Sequence, residues 1–194
     1  MSLTGSEGKR TLRRAMLERQ RALSETERAS LATLLTKRLL QFSACQKAQK
    51  ILAYLSLPGE ADLDDFIWWA LAEGKEIYVP VCLPDFQMEA GRLSDMEHFV
   101  KGPYGLRDLP PGYETARPEN LDLVLVPAVA VDSSGHRLGR GAGYYDRFLS
   151  RVSQEKRVAV VWDFQLTETL PVEEHDKTMG AVITEKGVLY FERE

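Results

Sequence analysis

Cysteine is nearly absent from this chain, with only Cys45 and Cys82 among 194 residues. They lie far apart and form no CxxC pattern, which argues against a disulfide framework or a cysteine-bound zinc and fits a reducing, cytoplasmic setting. No apolar run approaches the roughly 20 residues of a membrane span. Residues 1–8 (MSLTGSEG) lack the charged-then-apolar order of a signal peptide and read as a disordered, cloning-derived end. An excess of positive charge is missing too. Lys plus Arg number 25 against 29 Asp plus Glu, a net charge of −4, so nucleic acid and anionic membranes are not expected as partners and any anion site has to be local. Neither GxGxxG nor GxxxxGK[ST] occurs, so a standard dinucleotide fold and a Walker loop are both unsupported. His98, His136 and His175 lack metal-ligand spacing and are expected at the surface.

What remains is the composition of a globular protein, 44% hydrophobic and 28% charged, with a length suited to one domain over residues 1–194. Helices are expected over Lys9–Leu23 and Glu25–Phe42. Ser24 and Glu27 have capping-box spacing, and Leu31, Leu34, Leu35 and Leu39 mark the inward face of the second helix. ILAYL (51–55) reads as a buried strand and LPGE (57–60) as a turn. A helix capped by Asp62 then carries Leu63, Phe66, Ile67, Ala70 and Leu71 on one side, ends at Gly74 and leads into the strand IYVPVC (77–82). FQMEAGRL (86–93) suggests a hairpin strand, and residues 101–120 a long surface connection. LDLVLV (121–126) and RVAVVW (157–162) are further strands around a helix over Tyr144–Ser150, with AVIT and VLYF as short edge strands. The alternation predicts an α/β fold: three α/β/α layers on a mostly parallel, Rossmann-like sheet, with additional amino-terminal helices. Ligands would collect at the carboxyl ends of the strands.

The run RLGRGAGYYDRFL (137–149) carries the chemistry. Gly139, Gly141 and Gly143 let backbone N–H groups converge on an anion at a strand-to-helix junction. Arg137, Arg140 and Arg147 add forked donors suited to phosphate or carboxylate oxygens, and Asp146 is placed to hold a magnesium that bridges phosphate oxygens.

The longer stretch VPAVAVDSSGHRLGRGAGYYDRFL (126–149) closely resembles the signature of the 5-formyltetrahydrofolate cyclo-ligase family. KRTLR (9–13), YLSLPGE (54–60) and LPVEEHD (170–176) resemble that family's other motifs, in the same order. The resemblance implies a NagB/RpiA/CoA transferase-like scaffold and ATP-dependent closure of 5-formyltetrahydrofolate to 5,10-methenyltetrahydrofolate with Mg2+. A monomer acting on those two small molecules is expected.

It further implies that Lys9, Arg10, Thr11, Leu12 and Arg13 bind ATP together with Arg137, Leu138, Gly139, Arg140, Gly141, Ala142, Gly143, Tyr144 and Tyr145. Leu55 and Glu60 would contact the folate along with residues 140–144, and Asp146 and Asp176 would be the metal carboxylates. Arg140 and Tyr145 are the candidate catalytic residues. Ala142 replaces the glycine or lysine of many relatives, and Val131 an aromatic residue.

Other readings stand beside this one. Lys9 and Arg13 could be a solvated helix face, Asp146 could complement a helix dipole, and Glu60 and Asp176 could be ordinary surface carboxylates. Functionally, the alternatives are a non-catalytic nucleotide-binding protein and a sugar-phosphate isomerase that binds phosphate without ATP.

Overall fold

The computed structural model of the chain describes residues 5–102, 105, 107–173 and 176–192. Helix α1 (Gly5–Ala22) starts four residues ahead of Lys9, so Gly5 to Gly8 are helical and the expected disordered end does not reach them. Helix α2 (Glu25–Gln41) opens on the expected capping box, with Glu27 N–H donating to Ser24 Oγ and Ser24 N–H donating to the Glu27 carboxylate. Leu35 and Leu39 are fully buried, but Leu34, expected inside, is half exposed. The short helix α3 (Ser43–Lys47) follows, then strand β1 (Lys50–Leu52) and helix α4 (Asp64–Ala72). Asp62 accepts a bond from Asp64 N–H, so it caps α4 from one residue further out than expected. Strand β2 (Glu76–Cys82) forms an antiparallel hairpin with β3 (Met88–Arg92).

The connection over 101–120 is less plain than its Gly and Pro content suggested. Strand β4 (Val100–Lys101) pairs with β5 (Arg107–Asp108), and β6 (Thr115–Ala116) joins the edge of β3. Strand β7 (Leu123–Pro127) leads to β8 (Ala130–Asp132) and β9 (Arg137–Leu138), then helix α5 (Tyr144–Leu149). Strands β10 (Arg157–Val160), β11 (Leu166–Thr167), β12 (Ala181–Ile183) and β13 (Val188–Tyr190) complete the fold.

The main sheet has the order β13-β12-β10-β7-β1-β2-β3-β6, parallel from β12 to β2 and antiparallel at β13, β3 and β6. AVIT therefore lies inside the sheet, and VLYF is its edge. Alternation of side chains builds a core on each face. Ile51, Leu123, Leu125, Val158 and Val160 pack with α2, α3 and α4, while Leu52, Val124, Val126, Ala159 and Val161 pack with Phe148 and Leu149 of α5. The three expected layers are present.

Helix α1 lies outside them. Its Leu12, Met16 and Leu17 pack with Val129, Ala130, Leu138 and Leu170 in a third core beside the small sheet β11-β8-β9. That sheet depends on Asp132, whose carboxylate accepts the backbone N–H groups of Ser134, His136 and Leu170. Val131 is fully buried in the α5-side core, so its departure from an aromatic residue is a matter of packing. Among the described residues no helix is long and apolar enough to cross a membrane.

Candidate active site

A cavity of about 790 Å3 opens beyond the carboxyl ends of β1, β2 and β7, with Leu55, Cys82 and Ala128 at those ends. The opposite wall is α1, from Lys9 through Arg13 and Leu17 to Gln20 and Arg21. These residues recur every three or four positions, so one helical stripe faces the cavity. Residues 137–146 form the third wall, and Glu173 and Asp176 close the end near Lys9.

The loop from Tyr54 to Glu60 is fixed from behind. Tyr54 Oη donates to Ala61 O at 2.7 Å, and Trp162 Nε1, fully buried, donates to Gly59 O at 3.0 Å. Gly59 has φ +90°, and a side chain there would press on the Gln20 carbonyl of α1. Gln165 ties the segment after β10 to the β7–β8 connection, donating to Ala128 O and Val129 O and accepting from Trp162 N–H. This gives the WDFQ stretch a role its sequence did not disclose.

Gly139 and Gly143 make room for arginines, while Gly141, with φ +107°, takes a backbone conformation that other residues rarely adopt and would make only ordinary contact with Arg13. A Cβ at Gly139 would stand 2.8 Å from Arg137 Nη1, one at Gly141 would stand 3.6 Å from Arg13 Cζ, and one at Gly143 would stand 2.9 Å from Arg147 Nη1. Arg13 Nε also donates to Gly139 O at 2.9 Å, so α1 and the glycine loop are stitched together. Gly143, with φ +74°, is the residue from which α5 starts.

Charge is balanced pair by pair. Arg137 Nη2 donates to Asp146 Oδ1 at 2.6 Å, Arg140 Nε donates to Glu60 Oε1 at 2.9 Å, and Lys9 Nζ donates to Asp176 Oδ2 at 2.7 Å and Glu173 Oε2 at 3.1 Å. Burial works against the Lys9 charge, but the hydrogen bonds and charges of Asp176 and Glu173 outweigh it and hold its pKa above the ordinary lysine value. Tyr145 lines this cavity, but its hydroxyl is buried and, among the described residues, has no hydrogen-bond partner, and Arg137 Nε is likewise unpartnered among them. Burial, helped by the charge of Glu60, pushes the Tyr145 phenol well up, so it is a donor rather than a base.

Most of the residues singled out in the sequence meet here: Lys9, Arg13, Leu55, Glu60, every residue from Arg137 to Asp146, and Asp176. Three do not. Arg10 and Thr11 are exposed away from the cavity and Leu12 packs in the third core, because only every third or fourth residue of a helix can face one wall. Arg147 also misses the cavity. It donates to Ala142 O at 3.3 Å and lies over the Phe86 ring, bracing the loop instead of offering its charge to a ligand.

His98 is exposed beside Asp95, His136 is partly buried against Asp132, and His175 lies outside the described residues. Sequence reasoning missed Glu173, Trp162, Phe86 and Arg107. Arg107, which reaches the cavity while forking onto both oxygens of Asp64, gave no signal within its Gly- and Pro-rich stretch.

Among the described residues no three His, Cys, Asp or Glu side chains stand together as a metal cage. Asp146 and Asp176 are each on the cavity wall, the first hydrogen-bonded to Arg137 and the second to Lys9, and carboxylates of this kind are what a magnesium ion that draws its other ligands from phosphate and water would use.

Residues 5–185 match the sequence profile of the 5-formyltetrahydrofolate cyclo-ligase family. The chain is 31% identical to the mouse 5-formyltetrahydrofolate cyclo-ligase, covering 95% of this chain and 97% of that protein. It is 35% identical to the enzyme of the same name from Mycolicibacterium smegmatis, covering 92% and 94%. Its fold matches the NMR structure of Aquifex aeolicus 5,10-methenyltetrahydrofolate synthetase with a TM-score of 0.84 at 33% identity, over 96% of this chain and 94% of that one. With a family match that spans residues 5–185 and relatives of 31% and 35% identity covered almost end to end, the chain belongs to the 5-formyltetrahydrofolate cyclo-ligase family of enzymes.

Proposed function

We propose that this chain closes 5-formyltetrahydrofolate to 5,10-methenyltetrahydrofolate while cleaving ATP to ADP and phosphate. A formamide carbon is a poor electrophile, and its oxygen leaves poorly as hydroxide. In the proposed sequence the formyl oxygen attacks the γ-phosphorus, ADP departs, and an imino-phosphate results. N10 of the folate then attacks the formyl carbon, phosphate leaves with the C–O bonding pair, and N10 loses its proton.

The protein's contribution is alignment and charge neutralisation. Lys9 and Arg13 meet the phosphates from α1, and the glycine loop supports them from the facing wall. Arg140 neutralises charge on the transferring group, and the buried Tyr145 hydroxyl, without a partner among the described residues, is the donor proposed for the reacting group. The folate rings lie on the apolar side formed by Leu55, Leu57, Pro80 and Met88, with Glu60 accepting from the pterin's donor edge. Asp146 and Asp176 would hold a magnesium ion, which supplies additional neutralisation of phosphate charge when bound.

The observation that carries this reading is the convergence on one cavity of four segments separated in sequence, around residues 9–13, 54–60, 137–146 and 173–176. Folded protein mixed with 5-formyltetrahydrofolate, ATP and magnesium should produce the near-ultraviolet absorbance of the methenyl product. No absorbance above the nonenzymatic control, with nucleotide binding still measurable, leaves only a nucleotide-binding protein.

A further inference from the structure

Glu60 and Arg140 belong to different walls that meet, one on the loop proposed for folate and the other on the loop proposed for nucleotide. Two nitrogens of Arg140, Nε at 2.9 Å and Nη2 at 2.8 Å, reach the same oxygen, Glu60 Oε1. The other oxygen, Oε2, accepts Leu57 N–H at 2.9 Å. An incoming donor edge that needs both oxygens must therefore take Oε1 from Arg140.

The two partners differ in freedom. Glu60 is 12% exposed, held by its own loop, which is fixed in turn by Trp162 and α1. Arg140 is 42% exposed and sits between two glycines. If Arg140 swung toward a phosphate while Glu60 had no other partner, a largely buried carboxylate would be left uncompensated, which is costly. If a ligand's N–H groups took Glu60 first, Arg140 would be released at little cost.

Resting on the cyclo-ligase reading, we infer that the Glu60–Arg140 pair couples the two substrate sites, so that folate on Glu60 frees Arg140 for the nucleotide. Each ligand tightens the other, and the tightening is reciprocal because coupling of binding free energies has no direction. The pair also keeps the phosphate-binding charge of Arg140 engaged until a folate is in place.

The test is calorimetric titration of the wild-type chain with a non-hydrolysable ATP analogue and magnesium, with and without saturating 5-methyltetrahydrofolate. That folate keeps the pterin edge but has no formyl oxygen to phosphorylate. The analogue should bind about tenfold tighter when the folate is present, and the reverse titration should show the same factor. Glu60→Gln should bind the analogue tighter than wild type in the absence of folate, because Arg140 is no longer held by a charge. Arg140→Gln should bind the folate tighter than wild type in the absence of nucleotide, which gives a second route if Glu60→Gln does not fold. Wild-type affinities that ignore the other ligand, or single variants that leave both affinities unchanged, overturn the coupling. Cyclisation without coupling would sink only this inference, and coupling without cyclisation would sink only the proposed activity.

Discussion

The guanidinium of Arg137 occupies the space that a side chain on Gly139 would need, with Nη1 2.8 Å from the position of a Cβ there. That guanidinium is nearly inaccessible to solvent and is locked to Asp146 at 2.6 Å, so it cannot step aside as an exposed arginine could. Gly139→Ala should cost about 1–3 kcal/mol, the usual price of overpacking a filled site. Its denaturation midpoint should fall, and nucleotide affinity should fall with it. Unchanged stability would mean that Arg137 has room the structure does not show.

Tyr145→Phe separates stability from function. The hydroxyl is buried and has no hydrogen-bond partner among the described residues, so deleting it removes an unsatisfied polar group and should leave stability unchanged or raise it by up to about 1 kcal/mol. Turnover should drop at least tenfold if that hydroxyl donates to a reacting group. A melting curve and a steady-state assay on the same preparation check both halves, and an unaltered kcat would remove Tyr145 from the chemistry.

The strands, the capping box of α2 and the glycine run were legible because each rests on local chemistry: alternation of apolar residues, one hydrogen-bond exchange, and the absence of side chains. The small sheet β11-β8-β9 was not legible. Its strands have only two or three residues and draw their register from Asp132, whose bond to Leu170 spans 38 positions. The site shows the same division. Helical spacing placed Lys9 and Arg13 on one face, whereas the pairing of Arg140 with Glu60, 80 residues away, exists only once the loops have folded. Arg147 shows why composition misleads: three arginines in the run looked equivalent, yet this one points at Phe86.

Trp162 holds the 54–60 loop, the one proposed for folate, through one hydrogen bond and a fully buried ring. Trp162→Phe leaves Gly59 O without that donor and opens a gap, which should cost about 2–3 kcal/mol. Because its side-chain hydrogen bond goes to Gly59 and not to the glycine loop proposed for nucleotide, KM for 5-formyltetrahydrofolate should rise several-fold while KM for ATP changes little. Equal changes in both would show that the tryptophan supports the cavity as a whole.

Lys9 gives a pH signature with a definite sign. Its pKa in the folded protein is raised, so the attraction between α1 and the carboxylates of Glu173 and Asp176 is fully present below the unfolded lysine value and is lost as pH rises through the folded one. Lys9→Met removes the charge and leaves Asp176 and Glu173 facing an apolar tip, which should cost about 1 kcal/mol at neutral pH, discounted for the partial exposure of the pair. The stability gap between wild type and variant should hold from pH 7 to about pH 10 and shrink above roughly 10.4, where the unfolded chain's lysines begin to lose their protons. Denaturant titrations of both proteins across that range measure the gap directly. A gap that stayed constant to pH 12 would mean that the Lys9 charge contributes nothing to docking α1 there, and that the helix is held by Leu12, Met16 and Leu17 together with the Arg13 bond to Gly139 O and the Arg19 contacts with Phe164.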